Sequence, residues 1–321
     1  NCYYSGKGVT KDIIKAIEFY EKSSEKGNSK ALWNLGYCYS FGKGVQIDQV
    51  KAFEFYQKSA AQNNSKALCS LGDCYYNGVG VEKNLAKAIE YYQKSAMLGN
   101  SYALCSLGDC YFNGDGVQKD NKKAFEYYQQ SANMNNSNAL NSLGDCYYYG
   151  VNVDIDYVKA VDFYHQSAKH RNSNALWNLG FCYKNGKGVE KDYSKAFYYY
   201  QQSAKKGNSN ALNNLGNCYY KGEGVERDYS KAVDYYSRAS MQGNLNALNN
   251  LGNCFKKGKG VQKDMKKAIA LYYQSSLQGN SSALNNIGDC YYEGEGVSKS
   301  YLKAIQYYQR CTLIKKNHYK K

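Results

Sequence analysis

The sequence predicts an all-α solenoid of 36-residue helix–turn–helix repeats, and three observations predict it. A glycine preceded by leucine or isoleucine recurs every 36 residues, at Gly36, Gly72, Gly108, Gly144, Gly180, Gly216, Gly252 and Gly288. A cysteine keeps the same interval from Cys2 through Cys38 to Cys290, and a tyrosine does so from Tyr20 through Tyr56 to Tyr308. No insertion or deletion interrupts the spacing. A period in this range marks stacked supersecondary units, none of which can bury its own apolar face. Length alone would suggest two globular domains. The unbroken period reads instead as one solenoid over 1–314, with a partial repeat at 1–27, eight full repeats over 28–315 and a basic tail at 315–321.

Each unit reads as two antiparallel helices. In the first, Leu32, Leu35, Gly36 and Tyr39 fall at i, i+3, i+4 and i+7, one apolar stripe of an α-helix. Glycine costs about 1 kcal/mol in a helix interior. Its return at eight equivalent positions predicts a helix–helix contact too close for a Cβ. The second helix carries Ala52, Phe53, Tyr56, Ser59 and Ala60 on its inner face. It begins after Asp48, whose counterparts are Asp12, Asn84, Asp120, Asp156, Asp192, Asp228, Asp264 and Ser300, all good N-caps. The turn glycine Gly44 is replaced once, by Asn152, the side chain that best tolerates a left-handed backbone after glycine.

Composition excludes several function classes. No apolar run is long enough to span a bilayer. The chain begins in mid-repeat and reads as a fragment, so the lack of a leader carries no weight. Nine of the twelve cysteines share one repeat position. Equivalent positions on stacked helices lie roughly 8–10 Å apart, whereas a disulfide needs Cα atoms within about 7 Å. The cysteines therefore read as small buried hydrophobes in a reducing compartment, the cytoplasm rather than the ER lumen. The formal charge of +15 is mostly scattered over helix surfaces, thickening at Lys256, Lys257, Lys259, Lys263, Lys266, Lys267, Lys315, Lys316, Lys320 and Lys321.

As one unit the pattern is Ala-x3-Leu-Gly-x2-Tyr-x2-Gly-x-Gly-Val-x2-Asp-x2-Lys-Ala-x3-Tyr-x2-Ser-Ala. It closely resembles the Sel-one-like repeat (SLR), the 36-residue relative of the tetratricopeptide repeat, over essentially all of 1–314. Cys38 and its equivalents depart from the family's aliphatic residue, and Ser59 departs from its first alanine. The resemblance implies a right-handed α/α superhelix whose first helices line a concave groove, and an adaptor role in assembling other proteins.

Signs of catalysis are few. The three histidines, His165, His170 and His318, form no metal motif, and no phosphate-binding loop is present. A bacterial cysteine-rich branch of the family is linked to penicillin binding and β-lactamase activity. Of that chemistry only Ser-x2-Lys occurs here, as at Ser23–Lys26 and Ser203–Lys206. The expectation is a non-enzyme with no cofactor, metal, small-molecule substrate or nucleic-acid ligand.

By analogy with tetratricopeptide repeats, Lys30, Trp33, Asn34, Tyr37, Phe41 and their equivalents point into the groove. The position after glycine reads Tyr37, Asp73, Asp109, Asp145, Phe181, Asn217, Asn253 and Asp289. Three consecutive aspartates favour a basic partner, and Asn217 and Asn253 resemble the peptide-holding asparagines of tetratricopeptide clamps. Asn34, Asn178, Asn214, Asn250 and Asn286 form a second ladder that either grips a peptide backbone or bridges neighbouring helices. Trp33 with Tyr37 and Trp177 with Phe181 are either partner anchors or packing against the next repeat. Two functions remain open: a protein or peptide held on the concave face, and electrostatic docking of the basic C-terminal third on an acidic membrane, nucleic acid or subunit. End-to-end or homo-oligomeric contact at the uncapped N-terminus is a further expectation.

Overall fold

A computed structural model describes residues 1–318, with side chains through residue 314. The described residues form eighteen α-helices and no strand. After a one-turn helix α1 (Cys2–Ser5), second helices α2 (Ile13–Glu25), α4 (Gln49–Ala60), α6 (Leu85–Met97) and α8 (Asn121–Asn133) alternate with first helices α3 (Ser29–Phe41), α5 (Ser65–Asn77), α7 (Ser101–Asn113) and α9 (Ser137–Tyr149). The alternation continues with second helices α10 (Tyr157–Lys169), α12 (Tyr193–Ala204), α14 (Tyr229–Met241), α16 (Met265–Leu277) and α18 (Tyr301–His318). Their first helices are α11 (Ser173–Asn185), α13 (Ser209–Lys221), α15 (Leu245–Lys257) and α17 (Ser281–Glu293). Two compact units result, Asn1–Asp156 and Tyr157–Lys321, and within each unit every helix packs on its predecessor. The side chains of the basic tail at 315–321 lie outside the described residues. No described helix is long and apolar enough to cross a membrane.

The recurrent glycine is explained by its neighbour. A Cβ on Gly36 would lie 2.6 Å from the Tyr56 ring and 3.1 Å from the Ala52 carbonyl oxygen, and one on Gly180 would meet the Tyr200 ring at 2.6 Å. Large tyrosine therefore fits where the facing helix has no side chain, and Tyr56, Tyr92, Tyr128, Tyr164, Tyr200, Tyr236 and Tyr272 are buried. Asn152 adopts φ 61°, the left-handed backbone expected of it.

Helix starts are tied down by side chains. Asp48 Oδ1 accepts from the Lys51 amide at 3.0 Å, and its equivalents repeat that cap. First helices always start at asparagine, and the amide serves twice. Asn244 Oδ1 accepts from the Ala247 amide at 2.9 Å, while its Nδ2 donates to Asn210 Oδ1 of the preceding repeat at 2.8 Å. Ser and Asp cap equally well but offer no such N–H. The Ser59 departure from the family pattern has a similar cause. Its buried hydroxyl donates to the Ser29 carbonyl oxygen at 2.7 Å, as Ser95, Ser131, Ser203 and Ser275 do 30 residues back in their own repeats.

The lysine preceding the inner alanine is also part of the architecture. Stacked rings such as Tyr75–Tyr91 and Tyr219–Tyr235 join the two helices of a repeat at 5.5 Å. Lys87 and Lys231 sit 5.1 Å and 5.4 Å from the Tyr75 and Tyr219 ring centroids. Part of the net positive charge thus covers aromatic faces. All twelve cysteines are free and eleven are buried. Burial pushes the thiols of Cys74 and Cys110 up to about 12 and those of Cys218 and Cys254 up to about 11, which makes these four poor nucleophiles.

Candidate functional site

The exposed face of the first helices carries the candidate residues, and the position after glycine organises it. That position lies one residue beyond the contact with the buried tyrosine, and its side chain reaches the tyrosine hydroxyl. Tyr92 donates to Asp73 Oδ1 and Tyr128 to Asp109 Oδ1, both at 2.8 Å. Tyr236 donates to Asn217 Oδ1 at 2.8 Å and Tyr272 to Asn253 Oδ1 at 2.7 Å. Tyr20 with Asn1 and Tyr308 with Asp289 repeat the bond. Asp145 is half-buried and accepts from Asn141 Nδ2 at 3.0 Å.

The asparagine ladder bridges repeats. Asn250 Nδ2 donates to Asn213 Oδ1 at 2.9 Å and lies 3.4 Å from Asn217 Oδ1. Asn286 makes the same pair of contacts to Asn249 and Asn253, at 2.7 and 3.4 Å. Asn34 reaches Asn1 Oδ1 at 3.5 Å. Asn178 and Asn214 are half-buried. At Asn250 and Asn286 the amide thus bridges neighbouring helices, and both side chains are half-buried.

Two repeats break the tyrosine rule. In α3, Tyr37 replaces the acceptor; its ring lies 5.9 Å from Trp33 and 4.6 Å from the exposed Phe41. Trp33 is half-buried against the next repeat, where its Nε1 donates to Ser70 Oγ at 3.1 Å. The Tyr56 hydroxyl is left beside Ser40 and Ser70. In α11, Phe181 replaces the acceptor, 37% exposed and 5.9 Å from Trp177. There Tyr200 is fully buried, and neither its hydroxyl nor Trp177 Nε1 has a hydrogen-bond partner. The Asn214 side chain lies beside that hydroxyl. Both tryptophans thus pack on the neighbouring repeat and also expose an edge.

The basic C-terminal residues are partly consumed within the fold. Lys256 pairs with Glu293 at 3.3 Å and with Glu295 at 3.2 Å. Lys267 sits 4.5 Å over Phe255 and Lys259 lies 3.0 Å from the Tyr229 hydroxyl. Lys257 and Lys266 are exposed. Of the Ser-x2-Lys motifs, Ser203 is buried with its hydroxyl on the Ser173 carbonyl oxygen at 2.7 Å. No group of His, Cys, Asp and Glu able to hold a metal exists among the described residues.

The Sel1 repeat model matches nine consecutive segments: 1–28, 29–64, 65–100, 101–136, 137–172, 173–208, 209–244, 245–280 and 281–310. The chain belongs to the Sel1-repeat family. Sel1-repeat proteins are generally non-catalytic scaffolds for protein interaction. Among solved structures, this Sel1-repeat chain is similar to c5321, a protective antigen of uropathogenic Escherichia coli with an SLR fold. That likeness has 29% identity over 98% of this chain and 78% of that one, with a TM-score of 0.53. A Sel1 repeat protein from Oxalobacter formigenes is similar at 26% identity over 76% of this chain and 96% of that one, TM-score 0.68. The immunity protein Pa5087 from Pseudomonas aeruginosa shares the fold at 24% identity over 68% and 82% of the two chains, TM-score 0.51. No curated protein matches in sequence.

Sequence reasoning missed that the Asp/Asn position after glycine serves the Sel1-repeat core as well as the surface. A signal existed: Asp or Asn stands there in every copy except those with Tyr37 and Phe181.

Proposed function

We propose that this chain is a non-enzymatic adaptor whose first-helix face binds an extended segment of a partner protein. Trp33, Tyr37 and Phe41 anchor apolar side chains in the N-terminal unit, and Trp177 with Phe181 does so in the C-terminal unit. One observation carries the reading. In these two repeats a ring stands where the others carry the tyrosine's Asp or Asn acceptor: the Tyr56 hydroxyl is left to Ser40 and Ser70, and the Tyr200 hydroxyl is left unpaired. Leaving a buried hydroxyl unpaired costs about 1–3 kcal/mol. Local rules of folding are broken this way at functional positions, and rigid aromatics are the side chains that dominate interface energies. Around them Asn34, Asn214 and Asn250 offer amide oxygens that can accept from a peptide backbone. Two of the lysines that electrostatic docking would use, Lys256 and Lys267, are occupied by glutamates and a phenyl ring.

The test is selection of displayed random peptides on the intact protein, followed by titration of the winners against Trp33→Ala with Tyr37→Ala and against Trp177→Ala with Phe181→Ala. Losses of tenfold or more in affinity with the helical content retained support the reading. Winners that bind all variants equally, or that require Lys257 and Lys266, overturn it.

A further inference from the structure

We infer that the first-helix face of the N-terminal unit takes a cationic, extended partner segment, and that the cleft between α7 and α9 seats one of its arginine or lysine side chains. This rests on the reading that the first-helix face is the binding face, and it names the chemistry of the partner.

The starting point is a charge that the fold does not need. Asn1, Asn217 and Asn253 accept the tyrosine hydroxyl at 2.7–2.8 Å, as well as Asp73 and Asp109 do at 2.8 Å. A neutral amide would therefore serve at 73 and 109. The carboxylates instead carry a burden: desolvation raises both above the ordinary carboxylate range, with the tyrosine hydrogen bond pulling the other way. Both residues are nevertheless reached by water. Crowding by protein around a carboxylate that solvent still touches is what a recessed surface produces. A carboxyl raised in the folded state is a net cost to stability at pH values above that raised value. No lysine or arginine among the described residues pairs with Asp73 or Asp109.

In the C-terminal unit the same row reads Phe181, Asn217, Asn253 and Asp289, so it carries one charge, and the glutamates near it are paired with lysines. Lys184 pairs with Glu223 at 2.9 Å, and Lys256 with Glu293 and Glu295. Position 184 corresponds to Phe112 and Tyr148 of the N-terminal unit, where the residue itself is aromatic rather than basic. The cleft there, of about 240 Å³, is lined by Asp109, Phe112, Tyr128, Ser142, Asp145 and Tyr149. Phe112 and Tyr149 are 36% and 68% exposed. Lys119 already lies 5.5 Å from the Phe112 ring centroid, which shows that the ring takes a cation. The carboxylates of Asp109 and Asp145 beside the exposed Tyr149 ring suit a guanidinium, which pairs with a carboxylate through two N–H groups and stacks on aromatic faces.

Spacing narrows the occupant further. First helices of consecutive repeats are joined side chain to side chain, as Trp33 is to Ser70 and Asn250 to Asn213, a relation that sets their axes about 10 Å apart. A polyproline-II segment turns once in three residues at about 3.1 Å each, so every third side chain faces the same way about 9 Å on. Arginines at i, i+3 and i+6 would meet Asp73, Asp109 and Asp145 in turn.

The experiment is fluorescence anisotropy with labelled Arg-Ser-Ser-Arg-Ser-Ser-Arg, its citrulline counterpart, and the isomer Arg-Arg-Arg-Ser-Ser-Ser-Ser. Each is titrated with the wild-type chain, with Asp109→Asn, and with the triple variant Asp73→Asn, Asp109→Asn, Asp145→Asn. Asparagine already occupies this position in other repeats, so the variants fold, and thermal melts should show no loss. The spaced peptide should bind about tenfold more tightly than the clustered isomer, Asp109→Asn should weaken it about tenfold, and the triple variant or citrulline should abolish binding. Retention within twofold in the triple variant, equal binding of citrulline, or indifference to spacing overturns the inference. So does displacement by calcium chloride at concentrations where sodium chloride of equal ionic strength is inert, which marks an ion site. Displayed peptides that need the aromatic residues but no arginine leave the first-helix face standing and sink only the cationic segment.

Discussion

Replacing Phe181 by asparagine tests the link between fold and function at a single side chain. Tyr200 is fully buried with an unpaired hydroxyl, and a buried group left unsatisfied costs about 1–3 kcal/mol. In the same register, Asn217 and Asn253 accept that hydroxyl at 2.8 and 2.7 Å. Phe181→Asn should restore the bond and recover about 2 kcal/mol. It also forfeits the contact with Trp177, worth about 1 kcal/mol for a partly exposed aromatic pair. The informative comparison is therefore with Phe181→Ala, which loses the contact and supplies no acceptor. Asparagine should be the more stable of the two by about 1–2 kcal/mol, despite alanine's helix propensity, which is better by about 0.6 kcal/mol. In a Tyr200→Phe background the order should reverse, because only propensity remains. Stability in a repeat stack is local, so the readout is native-state amide exchange over α11 and α12 together with urea unfolding by circular dichroism. Equal stability of the two variants, or an asparagine advantage that survives in Tyr200→Phe, would refute the reasoning.

Three other substitutions follow from the same geometry. Gly36→Ala places a Cβ 2.6 Å from the buried Tyr56 ring; overpacking of about 3 kcal/mol, less about 1 kcal/mol of helix propensity, leaves a net loss near 2 kcal/mol in the urea midpoint. Ala239 is fully buried where other repeats have the serine that donates 30 residues back. Ala239→Ser should add a bond to the Ser209 carbonyl oxygen and gain about 1 kcal/mol, seen as slower amide exchange at the start of α13. Arg171 holds φ 60° where the equivalent positions hold glycine or asparagine, and Arg171→Gly should raise the melting temperature through a gain of about 0.5–1 kcal/mol.

Most of the fold was legible because each helix pair solves the same packing problem and the solutions differ only within a physical class. Glycine opposite tyrosine, asparagine for glycine at Asn152, and Asp, Asn or Ser at every second-helix N-cap all express local demands that a single sequence displays. The candidate face was legible only by position. Asp73, Asn217 and Asn253 look like free surface residues in sequence, since nothing in a linear period says that a hydroxyl from a helix 19 residues on comes to meet them. For the same reason Asn217→Ala would conflate lost binding with a stranded Tyr236 hydroxyl, and Asn217→Asp is the cleaner probe. The lysines are exposed as their positions suggest, but the period does not show that Lys87 and Lys231 also lie over aromatic rings.

The most direct measurement is hydroxyl-radical footprinting of the intact chain with and without a selected peptide. The account predicts protection of Trp33 and Tyr37 by a peptide that binds the N-terminal unit, or of Trp177 and Phe181 by one that binds the C-terminal unit, with the exposed Met97 and Met241 of the second helices unchanged. Protection of Met97 and Met241 with the four aromatics still open would place the partner on the opposite side of the repeats and contradict it.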